Sequence, residues 1–387
     1  MTYAGAQRML DADSHLMELP GFLDPFIDRD MRDQLKHREM SRLAPMLDAA
    51  AAAAERRRAD PQKRAEAEDR LLEDKGWSAL GAFDPAERTR ALDLFGFDGQ
   101  LVFATFATAM FVGRDEDLLY AGSAAHNRAV AAFCEDDPRL LPVAFVPLVD
   151  PERAVRALEE AIELRSGAVH IPSTAAGERA PTHPDLDPFW QLLNDSGVPF
   201  VLHIGGGGRL MDRAFHNNGC PVTDHLGGGE NIRSKDFLAI SSSPSVFLGV
   251  LILDGLFDRF PNIRGGVIEE GASWVVSWLR TLDQAQRAFR RTEQPLRELK
   301  LKPSEYVKKH LKFTPFAGEP VGWMIEQAGA ELFMFSTDFP HPEGGRDPLA
   351  KFEAEMVSND DRARQRFFYG NMAELLGPRL VPSPARP

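Results

Sequence analysis

The stretch LFMFSTDFPHPEG, residues 332–344, begins with four apolar side chains and continues to an aspartate, Asp338. The apolar run predicts a buried strand that ends at this carboxylate. A carboxylate is costly to remove from water unless another group compensates its charge. The stretch therefore predicts a site at the end of this strand, and it directs attention to polar residues at the ends of other strands.

Seven further apolar runs predict strands: one near Asp13, and others at residues 99–106, 139–150, 167–173, 198–206, 262–271 and 311–316. Helical patterns separate them, such as DPERAVRALEEAIELRSG, in which Asp150 is a cap, Pro151 lies in the first turn and Gly167 ends the helix. Alternating strands and helices predict an α/β protein whose eight parallel strands close into a (β/α)8 TIM barrel. An open doubly wound sheet is the alternative, but no phosphate-binding glycine fingerprint follows the first strand.

The 387 residues fit one domain, residues 1–387, in which residues 28–90 form a mainly helical insertion after strand one. The insertion is rich in Ala, Glu and Arg, which favours an exposed helix, and it offers surface for a homodimer. The net charge of -13 argues against a nucleic-acid partner. Two cysteines, no signal-peptide pattern and no long apolar run predict a cytoplasmic protein without a membrane segment.

Polar residues follow several of the predicted strands, in the position that catalytic groups occupy in barrels of this kind. The residues are Asp13, His15, His170, His203, Glu269, Glu270 and Asp338. Imidazole nitrogens and carboxylate oxygens bind divalent metals, and the charge of a metal makes several buried carboxylates tolerable. Asp13 and His15 are two residues apart, so both point to the same side of an extended strand.

The sequence resembles the second amidohydrolase family of the amidohydrolase superfamily, which includes aminocarboxymuconate semialdehyde decarboxylase and related carboxy-lyases and hydrolases. The matching segments run in family order from residue 11 to 377: DADSHLMELP, DPFWQLLNDSGVPFVLHIGG, LFDRFPNIRGGVIEEGASWVVSWLRTLD, FSTDFPHPEG and FYGNMAELLG. The resemblance implies a metal-dependent barrel enzyme with a small-molecule substrate.

The resemblance implies that Asp13, His15, His203 and Asp338 bind the metal and that Asp338 also transfers protons. Asp13 stands where the family often has a histidine, and its oxygen ligand suits zinc or iron, with manganese as an alternative and one or two ions. Glu270 falls at the place of the strand-six histidine, as a ligand, a general base or an orienting group. Glu269 is expected to be structural, since neighbouring strand residues point to opposite faces.

Four further residues are candidates around this centre. His170 is either a ligand to a second metal or a core histidine. His341 is expected to line the rim of the barrel mouth as a catalytic residue. His225, in a glycine-rich loop, is a substrate-binding candidate or a surface residue. Phe103 and Phe106 are candidates for an apolar substrate pocket, although core packing explains most buried phenylalanines.

These residues favour a hydrolase that attacks a carbonyl-centred bond (amide, ester, thioester or C–C) through a metal-activated water. The alternative is a non-oxidative decarboxylase of an aromatic or unsaturated carboxylic acid, which uses the same ligands. A second alternative is a catalytically silent barrel that serves as a scaffold; the retention of Asp13, His15, His203 and Asp338 argues against it.

Overall fold

The computed structural model describes residues 2–35, 44–206, 210–220 and 233–380. Within these residues, seven strands form one parallel sheet in sequence order. The strands are β1 Leu10–Leu16, β2 Gly99–Ala104, β3 Leu140–Phe145, β4 Ala168–His170, β5 Phe200–His203, β6 Gly265–Ile268 and β7 Leu311–Phe313. Nearly all of their residues are buried, as expected for parallel strands covered by helices. The sheet is curled and is consistent with a TIM-like barrel.

Helices connect the strands and cover the outside of the sheet. The α-helices are α1 Arg29–Arg32, α2 Ala44–Ala59, α3 Pro61–Asp69, α4 Pro85–Phe95, α5 Glu116–Cys134, α6 Pro151–Glu163, α7 Asp187–Ser196, α8 Ser234–Ala239, α9 Ser242–Leu253, α10 Leu256–Arg259, α11 Ser273–Phe289, α12 Gln294–Glu298, α13 Pro303–His310, α14 Val321–Ala328, α15 Pro348–Glu355, α16 Asp361–Gln365 and α17 Asn371–Leu376. Shorter helical turns lie at Asp24–Phe26, Gly76–Ser78, Ala107–Met110, Pro184–Leu186, Arg213–His216, Pro342–Gly344, Arg366–Gly370 and Gly377–Arg379.

The predicted eighth strand is an extended segment, residues 332–339, that lies between β7 and β1. It is not a regular strand in the described residues, where only two isolated bridges join it to the sheet. Backbone hydrogen bonds of 2.7–3.1 Å hold it on both sides: Phe313 N to Leu332 O, Met334 N to Phe313 O, Ala12 N to Phe335 O and His15 N to Phe339 O. Near the end of the segment, Asp338 adopts a left-handed backbone with a φ of 53°, which departs from extended strand geometry.

A buried carboxylate, Asp11, fastens this segment to the first two strands. Its Oδ1 accepts from Thr337 N at 2.8 Å, and its Oδ2 accepts from Thr337 Oγ1 at 2.6 Å and from Gln100 Nε2 at 2.9 Å. Burial raises the pKa of Asp11 to about 7, although these hydrogen bonds oppose the rise. The contacts connect β1, β2 and the segment that carries Asp338.

The interior of the curled sheet is filled by apolar side chains at alternate strand positions. One buried cluster contains Leu10, Ala12, Leu101, Phe103, Leu141, Val143, Ala168, Val201, Ile268 and Met334, together with Met372, Leu375 and Leu376 of α17. Helix α17 therefore packs against the barrel interior. Every second side chain of a strand points to the same face, so His170 in β4 and His203 in β5 face the same interior as Ala168 and Val201. Both imidazoles lie at the carboxyl ends of their strands.

The described part of residues 28–90 is mainly helical, and residues 36–43 lie outside the described residues. Helix α2 differs from a fully solvated helix, because Leu47, Ala50 and Ala54 are buried. Arg57 of the same helix makes a bidentate pair with Glu87, with both N–O distances at 2.8 Å. Helix α4 then leads directly to β2.

Residues 234–253 are the one candidate membrane-spanning segment among the described residues, although polar residues interrupt their apolar pattern. An 18-residue window within them has a mean hydropathy of 1.7, so by length and composition alone the segment could cross a bilayer. The segment is divided into α8 and α9 by a turn at residues 240–241. Phe247, Leu248 and Leu251 of α9 are buried in the main hydrophobic core, so α9 is a core helix of this fold.

Candidate metal centre

Six buried side chains meet where the strands end, and we call them the donor cluster: Asp13, His15, His203, Glu269, Asp338 and His341. They form two overlapping groups, in each of which one potential ligand atom per residue lies within 4.8 Å of the others. One group is Asp13, His15, His203 and Glu269; the other is His15, Glu269, Asp338 and His341. The cluster unites segments that are more than 300 residues apart in the chain.

Local departures from regular strand geometry bring three of the carboxylates into the cluster. The pairing of β1 with β2 is irregular between Asp11 and Ser14, so Asp13 joins the cluster although Ala12 belongs to the barrel interior. Glu269 and Asp338 both have a left-handed backbone, with φ values of 56° and 53°. This conformation costs a non-glycine residue about 1–2 kcal/mol, and such outliers concentrate at functional sites.

The distances between imidazole nitrogens and carboxylate oxygens within the cluster are short, although several of these atoms make no hydrogen bond of good geometry. His15 Nε2 lies 3.2 Å from Asp13 Oδ1 and 3.5 Å from Asp338 Oδ1. His203 Nε2 lies 3.2 Å from Glu269 Oε2 and 3.6 Å from Asp13 Oδ1. Within the described chain, Asp13 Oδ1, His15 Nε2 and His203 Nε2 are buried without a hydrogen-bond partner of good geometry.

These buried, converging atoms fit a divalent metal ion. Buried polar atoms are almost always satisfied, and a cation would satisfy all three at once. The backbone carbonyl of Ile204 lies 2.9 Å from His203 Nδ1, which fixes that nitrogen as the protonated one in a neutral ring and leaves Nε2 for a ligand bond. Two imidazoles with several carboxylate oxygens form a mixed ligand set that suits Mn²⁺, Fe²⁺ or Zn²⁺.

The electrostatics of the cluster also favour a bound cation. Burial alone would raise the pKa of Asp13, but the adjacent His15 and His203 outweigh it and lower this pKa below the ordinary value. Burial lowers the pKa of His15 to about 3, with the neighbouring His341 contributing. Burial would also lower the pKa of His203, yet Asp13 and Glu269 raise it to about 10. The carboxylates therefore attract positive charge, either a proton or a metal.

A second layer of contacts holds His341. Its Nδ1 lies 2.9 Å from Asp338 Oδ1, and its Nε2 lies 3.0 Å from Thr105 Oγ1. Its ring stacks on that of His15 with the centroids 3.9 Å apart. Thr105 Oγ1 also donates to the carbonyl of Leu16 at 2.8 Å, so the hydroxyl accepts from His341.

Glu18 holds the loop that carries Thr105. Its buried carboxylate accepts from the backbone N–H groups of Thr105, Phe106 and Ala107 at 2.7–3.1 Å. Sequence reasoning missed both Glu18 and Thr105. Glu18 had a signal, because it is an acidic residue three positions after His15 in DADSHLMELP. Thr105 had none, because one threonine after an apolar strand is common.

Two cavities border the donor cluster and are lined by different members of it. The first, which we call the aromatic cavity, has a volume of about 540 Å³; its lining includes His15, His203, Phe103, Phe145, His170 and His126. The second, which we call the acidic cavity, has a volume of about 650 Å³; its lining includes Asp13, Glu269, Asp338, Glu343, Arg233 and Phe237. Both volumes are in the range of sites for small organic molecules.

Several predicted residues lie elsewhere. The expected order of Glu269 and Glu270 is reversed: Glu269 joins the cluster, because its left-handed backbone breaks the alternation that would turn Glu270 inward after Ile268. Glu270 is buried outside both groups, and burial raises its pKa well above the usual value. His170 also lies outside them, with its ring 5.9 Å from that of His203.

The two phenylalanine candidates separate, and one histidine candidate falls outside the described structure. Phe103 lines the aromatic cavity, and its ring centroid is 4.4 Å from that of His203. Phe106 instead stacks on Trp77 with the ring centroids 5.3 Å apart, and it does not line the aromatic cavity. His225 lies outside the described residues.

Solved structures provide a comparison for this fold. An amidohydrolase from Mycobacterium avium subsp. paratuberculosis K-10 is 17% identical, with a TM-score of 0.71 over 96% of this chain and 100% of that chain. The 5-carboxyvanillate decarboxylase of Sphingomonas paucimobilis is 20% identical, with a TM-score of 0.61 over 96% and 99%. The 5-carboxyvanillate decarboxylase of Novosphingobium aromaticivorans, complexed with manganese and 4-hydroxy-3-methoxy-5-nitrobenzoic acid, is 18% identical, with a TM-score of 0.64 over 97% of both chains.

The sequence itself gives the family. No curated protein matches the chain significantly. The amidohydrolase family profile, however, matches residues 11–377, which include every member of the donor cluster. The chain therefore belongs to the amidohydrolase family and is an enzyme of the amidohydrolase superfamily.

Proposed function

We propose that this enzyme is a metal-dependent, non-oxidative decarboxylase of an aromatic or unsaturated carboxylic acid. The observation that carries the proposal is the position of the aromatic cavity, which is bordered by Phe103 and Phe145 and contacts His15 and His203 of the donor cluster. A planar ring between two phenylalanines would have its carboxylate beside the ligand atoms. The decarboxylases among the similar structures support this choice over hydrolysis, which the sequence favoured.

We propose Mn²⁺ as the metal, held by Asp13, His15, His203 and Glu269, with Asp338 of the overlapping group as a further ligand when it is ionised. Carboxylate oxygens suit this hard cation, and a similar structure contains manganese. The bound ion would supply positive charge that holds the oxygens of the substrate and stabilises the negative charge that develops during reaction. Zinc and iron, expected from the sequence, are the competing ions.

The residues of the chain supply the proton that decarboxylation needs. The bond between carbon and carboxylate breaks, its electron pair remains on the carbon, carbon dioxide leaves, and the carbon accepts one proton. Asp338 faces the cluster and, when protonated, is positioned as the acid. His341, whose Nδ1 is 2.9 Å away, returns a proton to it when both nitrogens of the imidazole are protonated by solvent, and Thr105 orients His341. Phe103 and Phe145 exclude water from the ring.

Hydrolysis of a carbonyl-centred bond is a second candidate, favoured by the same Asp338–His341 pair, which could also accept a proton from water. The two reactions differ in their products. The metal-free protein is loaded separately with Mn²⁺, Zn²⁺ or Fe²⁺ and incubated in D₂O with hydroxybenzoic acids and with aryl esters and amides. We expect carbon dioxide and one deuterium at the carbon that lost its carboxylate. Free acid without carbon dioxide would overturn the proposal in favour of hydrolysis.

A further inference from the structure

A buried histidine, His126, lies on the wall of the aromatic cavity and outside the donor cluster. It belongs to α5 and is 3% exposed. Its ring makes edge contacts with Phe145 and Phe111, at centroid distances of 6.5 and 6.2 Å. The ring of Phe145 also contacts that of His170, with the centroids 5.2 Å apart, and His170 lies next to His203. A row of ring contacts therefore connects His203 of the donor cluster with His126.

The neighbouring Asn127 determines which nitrogen of His126 carries the proton. Asn127 Oδ1 accepts from Phe145 N at 2.7 Å, and Asn127 Nδ2 donates to Phe145 O at 3.1 Å. These two contacts fix the orientation of the amide, so its oxygen faces His126 Nδ1 at 2.9 Å. An oxygen can only accept, and therefore Nδ1 must donate.

The remaining nitrogen, Nε2, is then an acceptor in the neutral ring. Burial lowers the pKa of His126 to about 4, although the contact with Asn127 opposes this, so the ring is neutral near pH 7. The side chain thus offers an acceptor inside a cavity that is otherwise largely apolar. An acceptor of this kind rejects ligands that cannot donate, because its desolvation is then uncompensated.

We propose that His126 Nε2 accepts a hydrogen bond from a hydroxyl or N–H group on the substrate, at the end of the molecule remote from its reacting carboxylate. The inference rests on the proposed function, since it assumes that the ring of the acid occupies the aromatic cavity. It narrows the substrate class to unsaturated acids that carry a hydrogen-bond donor on the ring.

The test compares matched ligands that differ only in the donor. Binding of 2-, 3- and 4-hydroxybenzoate and of the corresponding methoxybenzoates to the Mn²⁺-loaded enzyme is measured by calorimetry. We expect one hydroxybenzoate to bind about tenfold more tightly than its methoxy partner. In His126→Phe this ratio should fall to about one. The control Leu119→Val, which changes the same helix and cavity without removing a polar atom, should retain the ratio.

Two outcomes overturn the proposal: an unchanged ratio in folded His126→Phe, or no preference in the wild-type protein. If His126→Phe does not fold, ¹⁵N NMR of the wild-type histidines decides, since a proton on His126 Nε2 would contradict the assignment. An unprotonated Nε2 whose resonance shifts with hydroxybenzoate, but not with methoxybenzoate, would support it. These are binding measurements, so they remain decisive even if no acid is decarboxylated and the proposed function fails.

Discussion

The two cavities beside the donor cluster differ in chemistry: the imidazoles of His15 and His203 line the aromatic cavity, whereas the carboxylates of Asp13, Glu269 and Asp338 line the acidic cavity. The aromatic cavity is bounded by the ends of β2 to β5 and presents Phe103, Phe145 and the imidazoles of His126 and His170. The acidic cavity is bounded by the ends of β6 and β7 and by the eighth segment, and it presents Asp338, Glu343 and Arg233. The first suits the body of a planar ligand; the second holds most of the charge.

Under the proposed function, substrate binding and proton transfer would fall to residues of separate cavities at one barrel mouth. Left-handed residues, Glu269 and Asp338, occur on the acidic side, whereas His170 and His203 end regular strands on the aromatic side. Backbone strain is thus concentrated where the carboxylates must converge. Substitutions of the carboxylates in the acidic cavity should therefore reduce catalysis or metal binding, and substitutions of the phenylalanines in the aromatic cavity should alter substrate affinity.

The largest effect is expected from Asp338→Asn. The amide cannot deliver a proton, so kcat measured at saturating Mn²⁺ should fall by about 10³-fold, within the range of general acid catalysis. The melting temperature should change little, because Asn retains the shape of the side chain. Glu343→Gln is the control in the same cavity and should stay within about threefold of wild type. Wild-type turnover in Asp338→Asn would remove its catalytic assignment.

A smaller effect, on metal content, separates the adjacent glutamates. Glu269→Gln should weaken metal affinity by roughly 100-fold because one anionic ligand is lost. Glu270→Gln should leave it within about threefold, since Glu270 lies outside the cluster. Metal per protein is measured by elemental analysis after dialysis at defined free Mn²⁺. Equal losses of metal affinity in both variants would mean that the left-handed backbone at Glu269 does not determine which glutamate binds the metal.

Thr105→Val should have an intermediate effect on turnover. The valine keeps the shape of the side chain but removes the hydroxyl that contacts His341 and Leu16. We expect kcat to fall about fivefold, since a lost hydrogen bond costs about 1 kcal/mol and leaves His341 less well oriented. KM and metal content should remain close to wild type. Thr108→Val, in the same cavity, is the matched control, and an equal fall in both would reduce Thr105 to a packing role.

The sequence was sufficient for the residues whose positions follow from regular strands. Apolar runs predicted the seven strands approximately, and alternation places His203 at the mouth, as expected from VLH. The same logic put an acidic residue, Asp338, at the end of the last segment. Composition and pattern are local signals, and they carry this information well.

The remaining residues depend on backbone conformations that no local pattern specifies. Alternation after Ile268 favours Glu270, and only the φ of 56° at Glu269 reverses that choice. Glu18 and Thr105 act through contacts with residues about 90 and more than 230 positions away, respectively. The proposed role of His126 was missed because it depends on the orientation of Asn127 in α5. That orientation is fixed by Phe145 of β3, which contacts Asn127 only in the folded chain. Such pairings become visible only in three dimensions.

The smallest effect should come from Phe237, an aromatic residue that lines the acidic cavity and not the aromatic cavity. Phe103→Leu narrows the stacking surface beside His203 and should raise KM for an aromatic acid by about tenfold. Phe237→Leu changes a half-exposed ring in the acidic cavity, where it contacts only Phe316 among the described aromatic side chains, and should alter KM by less than about twofold. Steady-state kinetics on one substrate compare the two directly. A larger effect from Phe237→Leu would place the substrate ring in the acidic cavity and would require proton transfer and ring binding to share one side of the barrel.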